Sequence, residues 1–174
     1  MGKISVGIVM GSDSDLEVMS GAAKILEKLG VGVEMSILSA HRTPDECAQY
    51  AQSARSRGLL AVICGAGGAA HLPGVVAALT TLPVIGVPIR SQALNGVDSL
   101  YSIVQMPSGI PVATVGIDAA HNAGLLAARI IGAHDDKVAE ALENYKKDLT
   151  DGVLKKNDKL RSIGYEAYGA DRGA

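Results

Sequence analysis

Three short clusters of residues carry the side chains in this sequence that are best suited to chemistry. They are GSDSD at residues 11–15, SAHRTP at residues 39–44 and the glycine-rich stretch GAGGAAHLPG at residues 65–74. Each cluster follows an apolar run that is typical of a buried strand. Hydroxyl groups, an arginine and two histidines in these places predict a site that binds an anion and moves protons.

The second cluster predicts the kind of anion. Thr43, Pro44 and Glu46 have the spacing of a capping box that opens a helix. This leaves Ser39, His41 and Arg42 without a local task. An arginine at a helix N-terminus opposes the helix dipole unless an anion lies between the two. A phosphate group fits this place, because hydroxyls, backbone N–H groups and a guanidinium all donate to it. In the first cluster, Ser14-x-x-Glu17 is likewise a capping-box pattern, so that cluster is read as a helix start as well as a ligand site.

The proton-transfer role is assigned to two histidines. His41 lies in the second cluster and His71 ends the third, so both follow neighbouring predicted strands. Imidazole titrates near neutral pH and is suited to both giving and taking protons there. His121 and His134 lie on or beside predicted helices, away from these strand ends, and are expected to be structural.

The glycine-rich stretch allows another interpretation. Residues 65–70, GAGGAA, match the G-x-G-x-x-A fingerprint of dinucleotide-binding proteins. That fingerprint normally follows the first strand, whereas here it follows the third, and about 20 residues further on the chain has Arg90 in place of an acidic residue. Two interpretations of this stretch therefore stay open. It is the phosphate-binding turn of an NADP-dependent oxidoreductase, or its glycines let the backbone approach a small planar ligand closely. The sequence contains no H-x-x-x-H, C-x-x-C or G-x-S-x-G pattern, and no metal site is predicted.

The elements that position these clusters alternate along the chain. Short apolar runs predict strands at residues 4–10, 31–38, 59–64, 83–89 and 110–117. Helical spacing or helix-start signals predict helices at 16–29, from 44 onward, and at about 72–81, 97–104 and 119–132. Nearly continuous apolar strands separated by helices predict an α/β fold with three layers, a flavodoxin-like, doubly wound parallel sheet of five strands.

The composition predicts one domain over residues 1–174, with a core at about 4–132 and a C-terminal helix and polar tail at about 133–174. The net charge is −2 and no basic block exceeds a Lys-Lys pair, which argues against nucleic-acid binding. No apolar run approaches the roughly 20 residues of a membrane span. Cys47 and Cys64 are isolated and predicted to be reduced and buried, which favours a cytoplasmic protein.

Charged residues are unevenly distributed. Across residues 59–131 the only charged side chains are Arg90, Asp98, Asp118 and Arg129, whereas residues 134–161 are rich in them and predict a long solvated helix. A surface with so few charged side chains is expected to be buried against other protein rather than exposed to water. The sequence therefore predicts that copies of the chain associate into a homo-oligomer.

Taken together, the clusters resemble a known family. GSDSD, SAHRTP, AGGAAHLPG and SIVQMPSGIPVAT occur here in the order found in the N5-carboxyaminoimidazole ribonucleotide mutases of de novo purine synthesis, over about residues 4–132. The resemblance implies an isomerase without cofactor or metal. It would move a carboxylate from the exocyclic nitrogen of a ribonucleotide to a ring carbon, through carbon dioxide held in a closed pocket. It also implies a homo-octamer with sites at subunit boundaries.

The resemblance further implies roles for residues of all three clusters. His41 would pass protons between the exocyclic nitrogen and the ring carbon, Asp15 would bind the ribose hydroxyls, and His71 would face the carboxylate or carbon dioxide. The implied phosphate ligands are Ser12, Ser14, Ser39 and Arg42. The rest of the pocket wall would consist of Ala40, Gly67, Gly68, Ala70 and Leu72.

The same residues are compatible with two other functions. A related branch of the family carboxylates aminoimidazole ribonucleotide directly with carbon dioxide, although SIVQMPSGIPVAT resembles the mutase branch. A nucleotide-binding module without turnover would use the same phosphate site, but it would not need His41 beside His71.

Overall fold

The computed structural model describes residues 4–171, which form a five-stranded parallel sheet with helices on both faces. In chain order the elements are β1 (Ile4–Met10), α1 (Leu16–Lys28), β2 (Gly32–Ile37), α2 (Pro44–Ala54), β3 (Ala61–Gly67), α3 (Leu72–Leu79), β4 (Val84–Ile89), α4 (Val97–Val104), β5 (Ala113–Thr114), α5 (Ala120–Gly132) and α6 (Asp136–Asp171). A short 3-10 turn, Asp13–Asp15, precedes α1.

The strand order confirms the predicted fold. The strands lie in the order β2-β1-β3-β4-β5, which is the flavodoxin-like doubly wound order. The chain therefore reverses its winding direction between β1 and β3, and a crevice opens beyond the carboxyl ends of these strands. The three polar clusters follow β1, β2 and β3, so all three lie at this crevice.

Two apolar layers hold the helices against the sheet, because successive strand residues point to opposite faces. Ile8 and Ile63 are fully buried on the face covered by α1 and α5. Val9 and Cys64, the next residue along each strand, are fully buried on the face covered by α2, α3 and α4. β1, β3 and β4 are buried on both sides over most of their length, as their nearly continuous apolar sequences predict, whereas the edge strand β2 is only partly buried.

The fifth strand is much shorter than the predicted 110–117. Only Ala113 and Thr114 pair with β4. Pro111 has no N–H to donate to a ladder, and after Thr114 the chain keeps only single bonds to β4, such as the one from Val115 N–H to the Gly86 carbonyl (3.1 Å). The apolar run in the sequence is therefore an irregular edge segment over most of its length.

The C-terminal segment is more helical than predicted. The sequence indicated a helix that gives way to a polar tail, whereas α6 runs to Asp171 and is interrupted only at Gly164, whose φ is +78°. Its first turns pack on α5 through Val138 and Leu142, and its later part is exposed. The segment beyond residue 152 contains Lys, Leu and Arg, which favour helix, and no proline. Of the helices in residues 4–171, none has the length and apolar character needed to cross a membrane.

Candidate active site

A cavity of about 500 Å³ lies at the carboxyl ends of β1, β2 and β3. The loops after these three strands form its walls, so residues that are far apart in sequence meet there. The lining residues are Gly11, Ser12, Asp15, Ser39, Ala40, His41, Arg42, Ala66, Gly67, Ala69, Ala70, His71 and Leu72.

The loop after β1 places a buried carboxylate in the cavity wall. Asp15 is 8% exposed, and burial raises the pKa of its carboxyl group above the ordinary value of 3.8, against the opposing effect of a hydrogen bond from Ser14. The Ser14 hydroxyl donates that bond to Asp15 Oδ1 (3.1 Å). The capping box predicted for Ser14 and Glu17 is wrong, because Ser12 Oγ caps the 3-10 turn by accepting from Ser14 N–H (3.3 Å).

The loop after β2 is held by Ser39 and Thr43 in a way that differs from the prediction. Thr43 makes no capping bond to α2. Its Oγ1 instead donates to the Ser39 carbonyl (3.1 Å) and accepts from Ser39 N–H (2.9 Å). Ser39, which was expected to have no local task, accepts from the backbone N–H groups of His41 (3.4 Å) and Arg42 (3.2 Å). These bonds form a compact turn from which the Arg42 side chain reaches the first loop and the His41 side chain reaches the loop after β3.

Arg42 links the first two loops. One terminal nitrogen of its guanidinium donates to the Gly11 carbonyl (2.8 Å), and its Nε donates to Ser39 Oγ (3.4 Å). This arrangement places a positive charge beside the Ser39 hydroxyl, at a cavity wall that Ser12 also lines. A guanidinium with adjacent hydroxyls is a suitable cradle for a phosphate group.

The loop after β3 brings the second histidine to the cavity. Its backbone turns sharply, with positive φ angles at Gly68 (+64°) and Ala70 (+44°) and a bond from Ala70 N–H to the Gly67 carbonyl (3.1 Å). His71 follows immediately and stands at the start of α3. A left-handed conformation favours glycine at position 68.

The two histidines form a hydrogen bond across the cavity. His41 Nε2 lies 2.7 Å from His71 Nδ1, and the rings meet edge to face with 4.9 Å between centroids. A bond between two ring nitrogens needs one donor and one acceptor, so one proton is shared at this contact. The pair can therefore hold a proton within the cavity and release it to a bound molecule.

Most of the residues predicted for the site meet here. Ser12, Asp15, Ser39, Ala40, His41, Arg42, Gly67, Ala70, His71 and Leu72 line the cavity. Ser14 and Gly68 do not: the Ser14 hydroxyl donates to Asp15, and Gly68 N–H donates to Ser99 Oγ (2.9 Å). The roles predicted for all of these residues stay predictions. The predicted site residues leave out three residues that line the cavity, Gly11, Ala66 and Ala69, although all three lie within the quoted motifs. The carbonyl of Gly11 accepts from Arg42, a contact that spacing within one motif does not predict.

The remaining predictions about cofactors and structural histidines concern residues outside the cavity. Arg90, the residue that suggested a phosphorylated dinucleotide, pairs with Asp118 through Nε and Oδ2 (3.2 Å) and is not a lining residue. His121 lies on α5 and is hydrogen-bonded to the Tyr145 hydroxyl (3.0 Å). Within residues 4–171 no group of three or more His, Cys, Asp or Glu side chains is arranged to hold a metal ion.

Comparison with known proteins identifies the family that this fold and site define. The family described as AIR carboxylase matches residues 5–152, and the chain belongs to that family. A curated relative from Pyrococcus horikoshii named N5-carboxyaminoimidazole ribonucleotide mutase is 60% identical over 94% of this chain and 92% of its own length.

Two further relatives extend the comparison. The Saccharomyces cerevisiae protein named phosphoribosylaminoimidazole carboxylase is 56% identical over 97% of this chain, which spans only 29% of the yeast protein. The crystal structure of Treponema denticola PurE superposes with a TM-score of 0.82 at 31% identity, over 89% of this chain and 97% of that one. The family resemblance predicted from the sequence motifs is confirmed.

Proposed function

We propose that this chain catalyses the isomerisation of N5-carboxyaminoimidazole ribonucleotide to 4-carboxy-5-aminoimidazole ribonucleotide. The observation that carries the proposal is the 60% identity, over almost the whole of both chains, with a relative named for this mutase. The contact between His41 and His71 in the family's cavity supports it, because the reaction needs a group that both gives and takes a proton.

The substrate phosphate binds where the loops after β1 and β2 meet. Ser12, Ser39 and Arg42 line that part of the cavity, and Ser14 joins them by rotating its hydroxyl away from Asp15. The ribose hydroxyls donate to the Asp15 carboxylate, and the imidazole ring reaches the two histidines. Ala40, Gly67, Ala70 and Leu72 surround the ring and its carboxylate, while Gly68 shapes the turn.

The reaction begins when the bond between the exocyclic nitrogen and the carboxylate carbon breaks. Carbon dioxide leaves, the electron pair of the bond stays on nitrogen, and His41 supplies the proton that this nitrogen takes up. The cavity retains the carbon dioxide beside the ring, with His71 and the glycine-rich loop as its wall.

The second step forms the carbon–carbon bond. A ring double bond supplies the electron pair that attacks carbon dioxide, and His41 removes the proton from the ring carbon to restore the aromatic ring. One proton is given and one is taken back, so the histidine returns to its starting state. The balance of atoms and electrons closes without a redox partner, and we propose a reaction without cofactor.

The yeast relative's name favours one second candidate. A carboxylase would join free carbon dioxide to aminoimidazole ribonucleotide and would use only the second step. The two reactions share the cavity and the histidine pair, so they differ in the source of the carbon dioxide.

Isotopic labelling separates the two functions. The experiment supplies N5-carboxyaminoimidazole ribonucleotide labelled with carbon-13 in its carboxylate, in buffer that contains unlabelled bicarbonate, and follows the label by mass spectrometry. A mutase gives product that retains the label. Loss of the label, together with product from aminoimidazole ribonucleotide and bicarbonate alone, would indicate the carboxylase. If neither substrate gives product, the chain is a nucleotide-binding module without turnover.

We also propose that the chain assembles as a homo-octamer and acts in the cytoplasm. Exposed apolar side chains on α4 support assembly. Cys47 and Cys64 are free and buried, and free thiols suit a reducing compartment.

A further inference from the structure

Ser99 is fully buried, yet its hydroxyl group touches the loop that carries His71. It lies in the first turn of α4 and does not line the cavity. Its Oγ donates to the carbonyl of Ile89 at the end of β4 (2.7 Å) and accepts from Gly68 N–H (2.9 Å). The hydroxyl therefore bridges the two strand ends next to the cavity.

This bridge stands at the place where β3 and β4 separate. The last residues paired between these strands are Gly67 and Ile89. At the next residue the serine hydroxyl lies between Gly68 N–H and the Ile89 carbonyl, so it takes the place of a direct backbone bond. The inserted hydroxyl lets the end of β3 diverge from β4 and turn toward the cavity.

The direction of that turn determines where His71 stands. Gly68 and Ala70 both have positive φ angles, and the bond from Ala70 N–H to the Gly67 carbonyl (3.1 Å) closes the turn. His71 follows directly, with its Nδ1 2.7 Å from His41 Nε2. Because only two residues separate Gly68 from His71 and a hydrogen bond closes the turn, we expect a shift of Gly68 to displace the imidazole.

We propose that Ser99 is a positioning residue that holds His71 against His41 through Gly68. Its effect on turnover rests on the proposed function. The bond also occupies Gly68 N–H, so this group faces α4 rather than the substrate.

Two variants of Ser99 test the role of the hydroxyl. Ser99→Ala leaves Gly68 N–H and the Ile89 carbonyl without their shared partner. We expect kcat to fall by about 10- to 100-fold with KM nearly unchanged, because a displaced His71 no longer holds the proton-transferring ring of His41 in place and misplacement of that ring slows the chemical step. Ser99→Cys fills the site with a somewhat larger sulfur atom that is a weak donor and acceptor, so we expect it to be impaired as well. A serine that only fills space would give variants in which His71 keeps its distance from His41.

Ser102 supplies the matched control. It lies one turn further along α4, and its Oγ is 3.5 Å from the Gly68 carbonyl but makes its shorter bond to the Asp98 carbonyl (2.8 Å). We expect Ser102→Ala to keep the kcat and KM of the wild type.

Crystal structures of the wild type and the variants provide a measurement that does not depend on the reaction. We expect the distance from His41 Nε2 to His71 Nδ1 to exceed hydrogen-bonding range in Ser99→Ala and Ser99→Cys, and to be kept in Ser102→Ala. If the wild type lacks mutase activity, the proposed function fails and this distance alone decides the role of Ser99. The inference is overturned if the distance is unchanged in the Ser99 variants, whether or not kcat falls. Should the alanine variant not fold, the cysteine variant decides.

Discussion

At the scale of single residues, the proposed reaction depends on a ring that gives up a proton and takes it back. His41 lines the cavity and shares a proton with His71. We expect His41→Asn to lower kcat by about 100-fold or more, the usual size of an acid–base contribution, while KM changes little. Asparagine keeps a polar group of similar size but does not relay protons. Steady-state kinetics with the carboxyamino substrate measures both constants.

His121→Asn is the matched control for that experiment. His121 is also exposed and hydrogen-bonded, but to Tyr145, outside the cavity. We expect this variant to keep wild-type kcat. Normal turnover in His41→Asn together with an inactive His71→Asn would show that the two histidines have the opposite roles.

Asp15 gives a second prediction, on how stability depends on pH. Burial holds the pKa of its carboxyl group above the unfolded value of 3.8. Between the unfolded and folded pKa values the folded chain binds more protons at this group, so the free energy of unfolding falls as pH rises through that interval. At neutral pH the buried carboxylate is destabilising. We therefore expect Asp15→Asn, which is neutral, to raise the thermal midpoint of the ligand-free protein at pH 7.

The pH profile provides the check on this prediction. The rise in thermal midpoint caused by Asp15→Asn should shrink as pH falls. It should vanish below the unfolded pKa of 3.8, where the Asp15 carboxyl group is protonated in both the folded and the unfolded chain. Asp148→Asn, which changes the net charge equally on the exposed part of α6, should show no such loss. A gain that is independent of pH would mean that desolvation of Asp15 is not its cause.

We expect the same variant to bind the ribonucleotide more weakly, because the carboxylate accepts the ribose hydroxyls.

At the scale of elements, the contact between α1 and α5 depends on a glycine. A Cβ at Gly124 would stand 2.9 Å from the backbone carbonyl oxygen of Ala22 and would also collide with Ile25 Cγ2. Since one of these atoms is backbone, the helices must separate to make room. We expect Gly124→Ala to lower the free energy of unfolding by about 1–3 kcal/mol, the usual cost of overpacking, as measured by urea denaturation.

Gly21, on the other helix of the same contact, is the control. Its added Cβ would lie 3.6 Å from His121 N, an ordinary contact. Replacing a glycine inside a helix with alanine then stabilises the fold by about 0.5–1 kcal/mol. We therefore expect Gly21→Ala to raise the free energy of unfolding, whereas Gly124→Ala lowers it. Equal effects at the two positions would contradict the packing argument.

The elements also show how far the sequence predicts the structure. Apolar runs identify β1, β3 and β4 because these strands are buried on both faces, and the partly buried edge strand β2 keeps enough apolar residues to be identified as well. The position of each cluster at a strand end then follows. The same signal overextends β5, since an apolar edge segment interrupted by Pro111 reads like a strand. Individual hydrogen bonds between distant residues were not predicted. The bond from Gly68 to Ser99 in α4 joins residues 31 positions apart, and spacing within one loop gives no sign of which side chain of another element it contacts.

Capping shows the limit within a single loop. Thr43 and Glu46 have the spacing of a capping box, but the Thr43 hydroxyl bonds back to Ser39 instead. The spacing alone does not show which partner the hydroxyl takes. The cavity residues were nevertheless predictable, because the motifs that carry the family resemblance contain nearly all of them.

At the scale of the whole molecule, the outer face of α4 argues for assembly. Val97, Tyr101 and Val104 lie on one side of this helix and are 42%, 59% and 54% exposed, and Leu94 extends the patch at 58%. Nothing in residues 4–171 covers these side chains, and a contiguous apolar patch of this kind marks an interaction surface. Since the charge-poor sequence at 59–131 surrounds it, we take a second copy of the chain as the partner.

Sedimentation equilibrium tests the assembly directly. We expect a mass larger than a dimer of the 17.8 kDa chain at micromolar concentration, and eight chains if the proposed octamer is right. Tyr101→Lys places a charge in the apolar patch, and burying an unpaired charge at an interface is costly. We expect this variant to shift the distribution toward smaller species. Gln49→Lys adds the same charge to an exposed position on α2 and should leave the mass unchanged. A wild-type monomer would contradict assembly, and an unchanged mass in Tyr101→Lys would place the contact away from α4.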